Sequence, residues 1–232
     1  MTDQILELTN VRKSYSRGRQ VTEVLAGVSL RARTGEFLAL MGPSGSGKTT
    51  LLNILSGLDI ASGGEIRVAG SRLDFMSTGQ RTKWRAATIG FVFQSYNLMA
   101  GLTAGENVEL PLFLTRLGRS ERLRRVGIAL ELVGLKGQAG YRLYELSGGQ
   151  QQRVAIARAI VAECAILICD EPTGDLDRLA ANDILDLLRL LNREEGKTIV
   201  MVTHDPVAAG FADRLLRLDK GVLLAESKTA PQ

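Results

Sequence analysis

Residues Phe37-Leu38-Ala39-Leu40-Met41 run directly into Gly42-Pro43-Ser44-Gly45-Ser46-Gly47-Lys48-Thr49. A short continuous apolar run reads as a strand buried on both faces, as in parallel sheets. The octapeptide matches G-x-x-x-x-G-K-[ST] in the strand-to-helix setting the motif requires. Its glycines let backbone N–H groups turn toward phosphate oxygens, and the helix N-terminus adds positive potential. Gly42, Pro43, Ser44, Gly45, Ser46, Gly47, Lys48, Thr49 and Thr50 are therefore expected to bind a nucleotide. Lys48 would reach the terminal phosphates and Thr49 would ligate Mg²⁺. Alone, the motif says only P-loop nucleotide binder, a description shared by kinases, GTPases and helicases.

Three further apolar runs end in polar residues: Ile89–Phe93 before Gln94, Ala165–Cys169 before Asp170-Glu171, and Thr198–Thr203 before His204-Asp205. In open α/β sheets ligands bind outside the carboxyl ends of the strands, so the four runs predict one mostly parallel sheet with its site along one edge. Asp170 is placed to hold the metal, and Glu171 to polarise or position an attacking water. His204, the only histidine, is expected at the γ-phosphate as a sensor of triphosphate against diphosphate. Gln94 can reach the metal or the water. Tyr15 has two open readings from spacing alone: stacking on a nucleobase, or packing within a small sheet.

A second glycine-rich phosphate site, Leu146-Ser147-Gly148-Gly149-Gln150, opens another helix about a hundred residues after the first. One triphosphate needs one cradle. The spare one is explained if it serves a nucleotide held by another copy of the chain.

Composition limits the alternatives. The 232 residues are 45% hydrophobic and 23% charged, ample for one large domain. A net charge of +4 with interspersed signs gives no nucleic-acid stripe. No apolar run approaches the ~20 residues of a membrane-spanning helix, and Met1-Thr2-Asp3-Gln4 shows no basic patch of a secretory signal. Cys164 and Cys169 would lie about 16 Å apart along a strand, beyond the roughly 7 Å reach of a disulfide. They read as reduced core residues of a cytosolic protein.

Helices are expected over Thr49–Gly57, over Gln150–Glu163, around Ile184–Leu191 with a stop at Gly196, and over Glu121–Val133 with Leu123, Val126, Leu130 and Val133 inward. Short antiparallel strands are expected over 5–35 and 64–75, little strand over 97–145, and a frayed tail from Ser227.

At Leu146–Gln150, continued by Gln151-Gln152-Arg153-Val154-Ala155-Ile156-Ala157-Arg158-Ala159, the chain resembles an ABC transporter nucleotide-binding domain. The P-loop, Gln94, the signature at 146–150, Asp170-Glu171, the turn Asp175-Leu176-Asp177 and His204 follow in that family's order along nearly the whole chain. The resemblance implies one domain over 1–232: a P-loop core, an antiparallel β portion at about 1–35 and 60–75, and an inserted α-helical portion at about 97–150. It implies ATP and Mg²⁺ as ligands, with Tyr15 on adenine and Thr49, Gln94 and Asp170 near the metal. Two copies would pack head to tail, with Ser147, Gly148, Gly149 and Gln150 closing on the partner's nucleotide and Asp175–Asp177 crossing the interface.

Pro172-Thr173-Gly174-Asp175-Leu176-Asp177, Gly90–Gln94 and Leu102–Val108 resemble the lipoprotein-releasing, macrolide-exporter and cell-division branch. That branch carries Asn where Asp175 stands and Pro where Leu143 stands. The resemblance implies a separate membrane subunit gripped by the segment from Gln94 to Tyr144, a place on the inner face of the cell membrane, and export or extraction as the outcome. Regulation of a membrane complex without transport is the alternative. A soluble ABC ATPase acting on DNA or ribosomes stands further off, as does a small-molecule kinase. The cargo is not encoded in any of these motifs.

Overall fold

Phe37 and Ala39 turn to one side of their strand, Leu38 and Leu40 to the other, and all four are buried, as the two-residue period of a strand dictates. In the computed structural model, which describes residues 4–18 and 20–228, the chain runs β1 (Gln4–Arg17), β2 (Gln20–Arg33), β3 (Phe37–Met41), α1 (Lys48–Leu55), β4 (Gly63–Val68), β5 (Ser71–Arg72), α2 (Thr78–Thr88), β6 (Ile89–Phe93), α3 (Ala104–Glu109), α4 (Arg119–Leu132), α5 (Gly148–Ile160), β7 (Ile166–Asp170), α6 (Arg178–Arg193), β8 (Thr198–Val202), α7 (Pro206–Ala209), β9 (Arg214–Asp219) and β10 (Val222–Lys228). A six-stranded sheet has the order β10-β9-β3-β8-β7-β6, parallel except at the β10–β9 pair. A second sheet, β2-β1-β4-β5, is antiparallel.

Each face of the parallel sheet has its own core. Phe37, Ala39, Leu167, Cys169, Ile199 and Met201 join the α5 and α6 side chains Val154, Ile156, Ile184, Leu188 and Leu191. Leu38, Leu40, Ile166, Ile168, Val200 and Val202 face α1, through Leu51, Leu52, Ile54 and Leu55, and the antiparallel sheet, through Leu6, Leu8, Val11, Leu25 and Val28. Burial on both faces is why these strands read as unbroken apolar runs.

The first two strands are 14 residues each rather than short. Register shifts between Leu8 and Val11 and between Lys13 and Ser14 break the alternation, so one long strand mimics several short ones. α4 buries Val126 and Leu130, with Val133 just beyond it, but Leu123 is 50% exposed. No residue of α4 before Val126 is buried, so its first turns project from the packed region and the predicted inward stripe begins one turn late. α2 has no apolar stripe to announce it; its signal is the Ser77–Gln80 capping box. β10 continues through Ser227 and Lys228, which pair with Leu215 and Arg214, so the chain is not frayed there. Residues 229–232 and Met1–Asp3 lie outside the described residues.

Candidate functional site

Register assembles the site. Leu40 pairs with Val202, Val202 with Asp170, and Asp170 with Phe93. The next residues along each chain therefore leave the sheet in one row: the loop from Gly42, then Thr203-His204, Glu171 and Gln94. They border a cavity of about 580 Å³, walled by Gly42, Ser44, Gly45, Gly47, Lys48, Thr49, Thr50, Gln94, Asp170, Glu171, His204, Val24 and Val202. Val24, on β2, carries no sequence signal for this position.

Gly47 caps α1 at φ 103°, a left-handed conformation that favours glycine. A Cβ there would also lie 2.9 Å from the Val24 carbonyl oxygen and from Leu25 Cδ2, so the close approach of β2 demands glycine as well. Lys48 folds back on the loop, its Nζ donating to the carbonyls of Gly42 at 2.7 Å and Pro43 at 2.9 Å.

Burial pushes the Asp170 carboxyl above its ordinary range, and the neighbouring Glu171 charge adds to the shift, while a Thr49 hydrogen bond and Lys48 oppose it. A half-buried carboxylate beside a second one is a place that a cation stabilises. Thr49, Asp170 and Gln94 would supply hard oxygen donors of the kind that suits Mg²⁺. Among the described residues no group of three or more His, Cys, Asp or Glu is placed to hold a metal ion by itself.

Glu171 sits at φ 49°, uncommon for a residue with a side chain and a conformation found where function holds the backbone. Its amide donates to the Val202 carbonyl at 3.0 Å, and its Oε2 lies 2.9 Å from His204 Nδ1. Glutamate and histidine thus form a pair at the mouth of the cavity, with the histidine side chain 74% exposed.

Tyr15 is not among the residues that wall the cavity. Its hydroxyl donates to Asp59 Oδ2 at 2.6 Å, and Lys13 Nζ lies 4.6 Å from its ring centroid. Lys13 also donates to Asp59 Oδ1 at 2.6 Å and to the Ile60 carbonyl at 2.7 Å. Burial pushes the Asp59 carboxyl up, but these Lys13 and Tyr15 hydrogen bonds outweigh it and hold the carboxyl below its ordinary range. Neither Lys13 nor Asp59 belongs to a motif.

Ser147, Gly148, Gly149 and Gln150 are not among the cavity walls. They form the N-terminus of α5, where Ser147 and Gln150 make a reciprocal capping box. Gln152, fully buried, donates to the Pro172 carbonyl at 2.6 Å. Arg158 donates to the carbonyls of Asn97 at 2.6 Å and Tyr96 at 2.9 Å, two residues with left-handed backbones. α5 is thereby tied to the segments that follow Gln94 and Glu171. Both side chains lie in the stretch that continues the signature, but their carbonyl partners are set by the fold.

Residues 25–174 match the ABC transporter family. The chain belongs to that family. It is 44% identical over 226 residues, 97% of each chain, to YvrO of Bacillus subtilis (strain 168), described as an uncharacterized ABC transporter ATP-binding protein. It is 43% identical to the bacitracin export ATP-binding protein BceA of Halalkalibacterium halodurans, across 96% of this chain and 88% of that one. The macrolide export ATP-binding/permease protein MacB 1 of Yersinia pestis bv. Antiqua is 41% identical over 96% of this chain but only 34% of its own length. A solved ATP-binding cassette, MJ0796, dimeric with ADP and Pi, superposes with a TM-score of 0.88 at 42% identity, covering 98% of this chain and all of that one. This ABC cassette binds and hydrolyses ATP, and its fold is the P-loop α/β core with an antiparallel sheet that the sequence predicts.

Proposed function

We propose that the cassette works as a head-to-tail dimer with two ATP at the interface, each held by the P-loop of one copy and the signature helix of the other. The observation that carries this reading is the division of the two cradles. The first is surrounded by Asp170, Glu171, Gln94 and His204 in one cavity, while the second stands apart from it on a capped, solvent-facing helix end. The solved relative MJ0796 is dimeric, which supports dimerisation.

In each site Lys48, the P-loop amides and the α1 N-terminus bind phosphates, and Thr49, Asp170 and Gln94 hold Mg²⁺. Bound there, the metal would neutralise charge on the phosphate oxygens. Glu171 orients the attacking water and accepts hydrogen bonding from it. His204, positioned by Glu171, contacts the γ-phosphate, and Tyr15 carries the adenine. Triphosphate bridges both copies and diphosphate does not, so the open and closed states differ in affinity for the ligand, the condition for a ligand to shift them.

Closure is passed to a membrane subunit through the face between Gln94 and Tyr144. Phe113, Leu114 and Tyr144 are 58%, 76% and 84% exposed in that stretch, and Leu114 also lines a cleft of about 230 Å³ with Phe91, Phe93 and Pro111. No helix among the described residues is long and apolar enough to cross a membrane; in this reading it is that subunit that holds the cassette at the inner face. The relatives BceA and MacB 1, each described as an export protein, favour export. The test is Ser147→Arg: ATP binding by the monomer is unchanged and turnover is abolished. Loss of binding in the monomer would place the second cradle in the same chain's site.

A further inference from the structure

The side chain of Gln94 is held by a residue outside the catalytic motifs. Its Nε2 donates to Asp175 Oδ1 at 2.9 Å. Gly174 makes this reach possible, since a Cβ there would lie 3.0 Å from Gln94 Nε2 and 3.1 Å from its Cδ. Asp175 is itself on a braced loop. Gly174 donates to the Glu171 carbonyl at 3.0 Å and Leu176 to the Thr173 carbonyl at 3.2 Å, while Asp177 caps α6 by accepting from the Ala180 amide at 2.9 Å.

An ionised carboxylate only accepts hydrogen bonds, whereas a glutamine amide has one donating and one accepting end. Asp175 therefore fixes which end faces it, and the carbonyl oxygen Oε1 is left for the cavity that Gln94 borders. Among the described residues no hydrogen bond engages that oxygen. An asparagine at 175 would present either end and accept either orientation of the glutamine.

We propose that Asp175 is a positioning residue that locks the Gln94 amide with its oxygen toward the metal and attacking water, tying the metal site to the loop expected at the dimer interface. This rests on the reading of Gln94 as a metal-side ligand.

The test uses binding of a non-hydrolysable ATP analogue to the full chain, comparing dissociation constants in EDTA and in Mg²⁺. Asp175→Ala and Gln94→Ala should each cut the Mg²⁺-dependent gain in affinity about three- to tenfold, the effect of one hydrogen bond, and leave the EDTA value unchanged. Gln94→Glu should lose more, because it sets two carboxylates face to face, and adding Asp175→Asn should rescue it. A drop for Gln94→Ala alone, with Gln94→Glu indifferent to Asp or Asn at 175, overturns the role of Asp175 and leaves Gln94 at the metal. An unchanged gain in Gln94→Ala overturns both. Equal weakening of Asp175→Ala in EDTA and Mg²⁺ shows general damage and also overturns the proposal.

Discussion

Lys48 illustrates how a single residue can be poised before its ligand arrives. Its ammonium donates to the carbonyls of Gly42 and Pro43, and a phosphate offers it a stronger, charge-assisted partner. Lys48→Ala should weaken ATP binding at least tenfold, about 1.4 kcal/mol or more, measured by titration. The cysteines are the opposite case. Burial raises the Cys164 thiol to about 11 and holds Cys169 still higher, so neither forms thiolate near neutral pH. A thiol reagent at pH 8 should label neither until the chain is unfolded. By linkage the folded state keeps the Cys164 proton that the unfolded chain releases, so its contribution to stability is present below about pH 9 and is lost as pH rises toward about 11. At this scale much of the site was legible: Lys48, Thr49, Asp170, Glu171, Gln94 and His204 all border one cavity, the first two because they close the glycine-rich motif and the others because they follow apolar runs. Lys13, Asp59, Val24 and Asp175 escaped notice as supports, since they act through partners far away in the chain.

Elements differ in how openly the sequence shows them. Strands buried on both faces, and α6 with Ile184, Leu185, Leu188 and Leu191 inward, declare themselves by period. α2 does not, because its only buried residue is Arg81, and the bulged β1–β2 pair hides its length. In α4 the stripe predicted from Leu123 begins only at Val126, and stability should follow the observed burial. Leu130→Ala should cost about 2–5 kcal/mol as a cavity in a packed core, while Leu123→Ala should stay within about 0.5 kcal/mol, as for surface positions. Urea denaturation of the two variants separates these outcomes; equal losses would contradict the placement of the helix. Asn107 was equally hidden. It is fully buried, accepts from the Met99 amide at 2.8 Å, and donates to the carbonyls of Met99 and Thr103. It braces the turn before α3 through contacts that only the fold creates.

For the whole molecule the question is how many copies make one site. Among the described residues the P-loop cavity and the capped helix end of signature residues stand apart, and α5 reaches the Gln94 segment through Arg158 and the Pro172 segment through Gln152. A partner's nucleotide meeting Ser147 would therefore be felt at both catalytic loops. The most direct measurement is size-exclusion chromatography with light scattering on Glu171→Gln, which removes the carboxylate proposed to orient water while leaving the P-loop and signature intact. The variant should elute as a monomer without nucleotide and as a dimer with ATP and Mg²⁺, returning to monomer with ADP. A monomer under all three conditions, with ATP binding verified, would contradict the shared-site account.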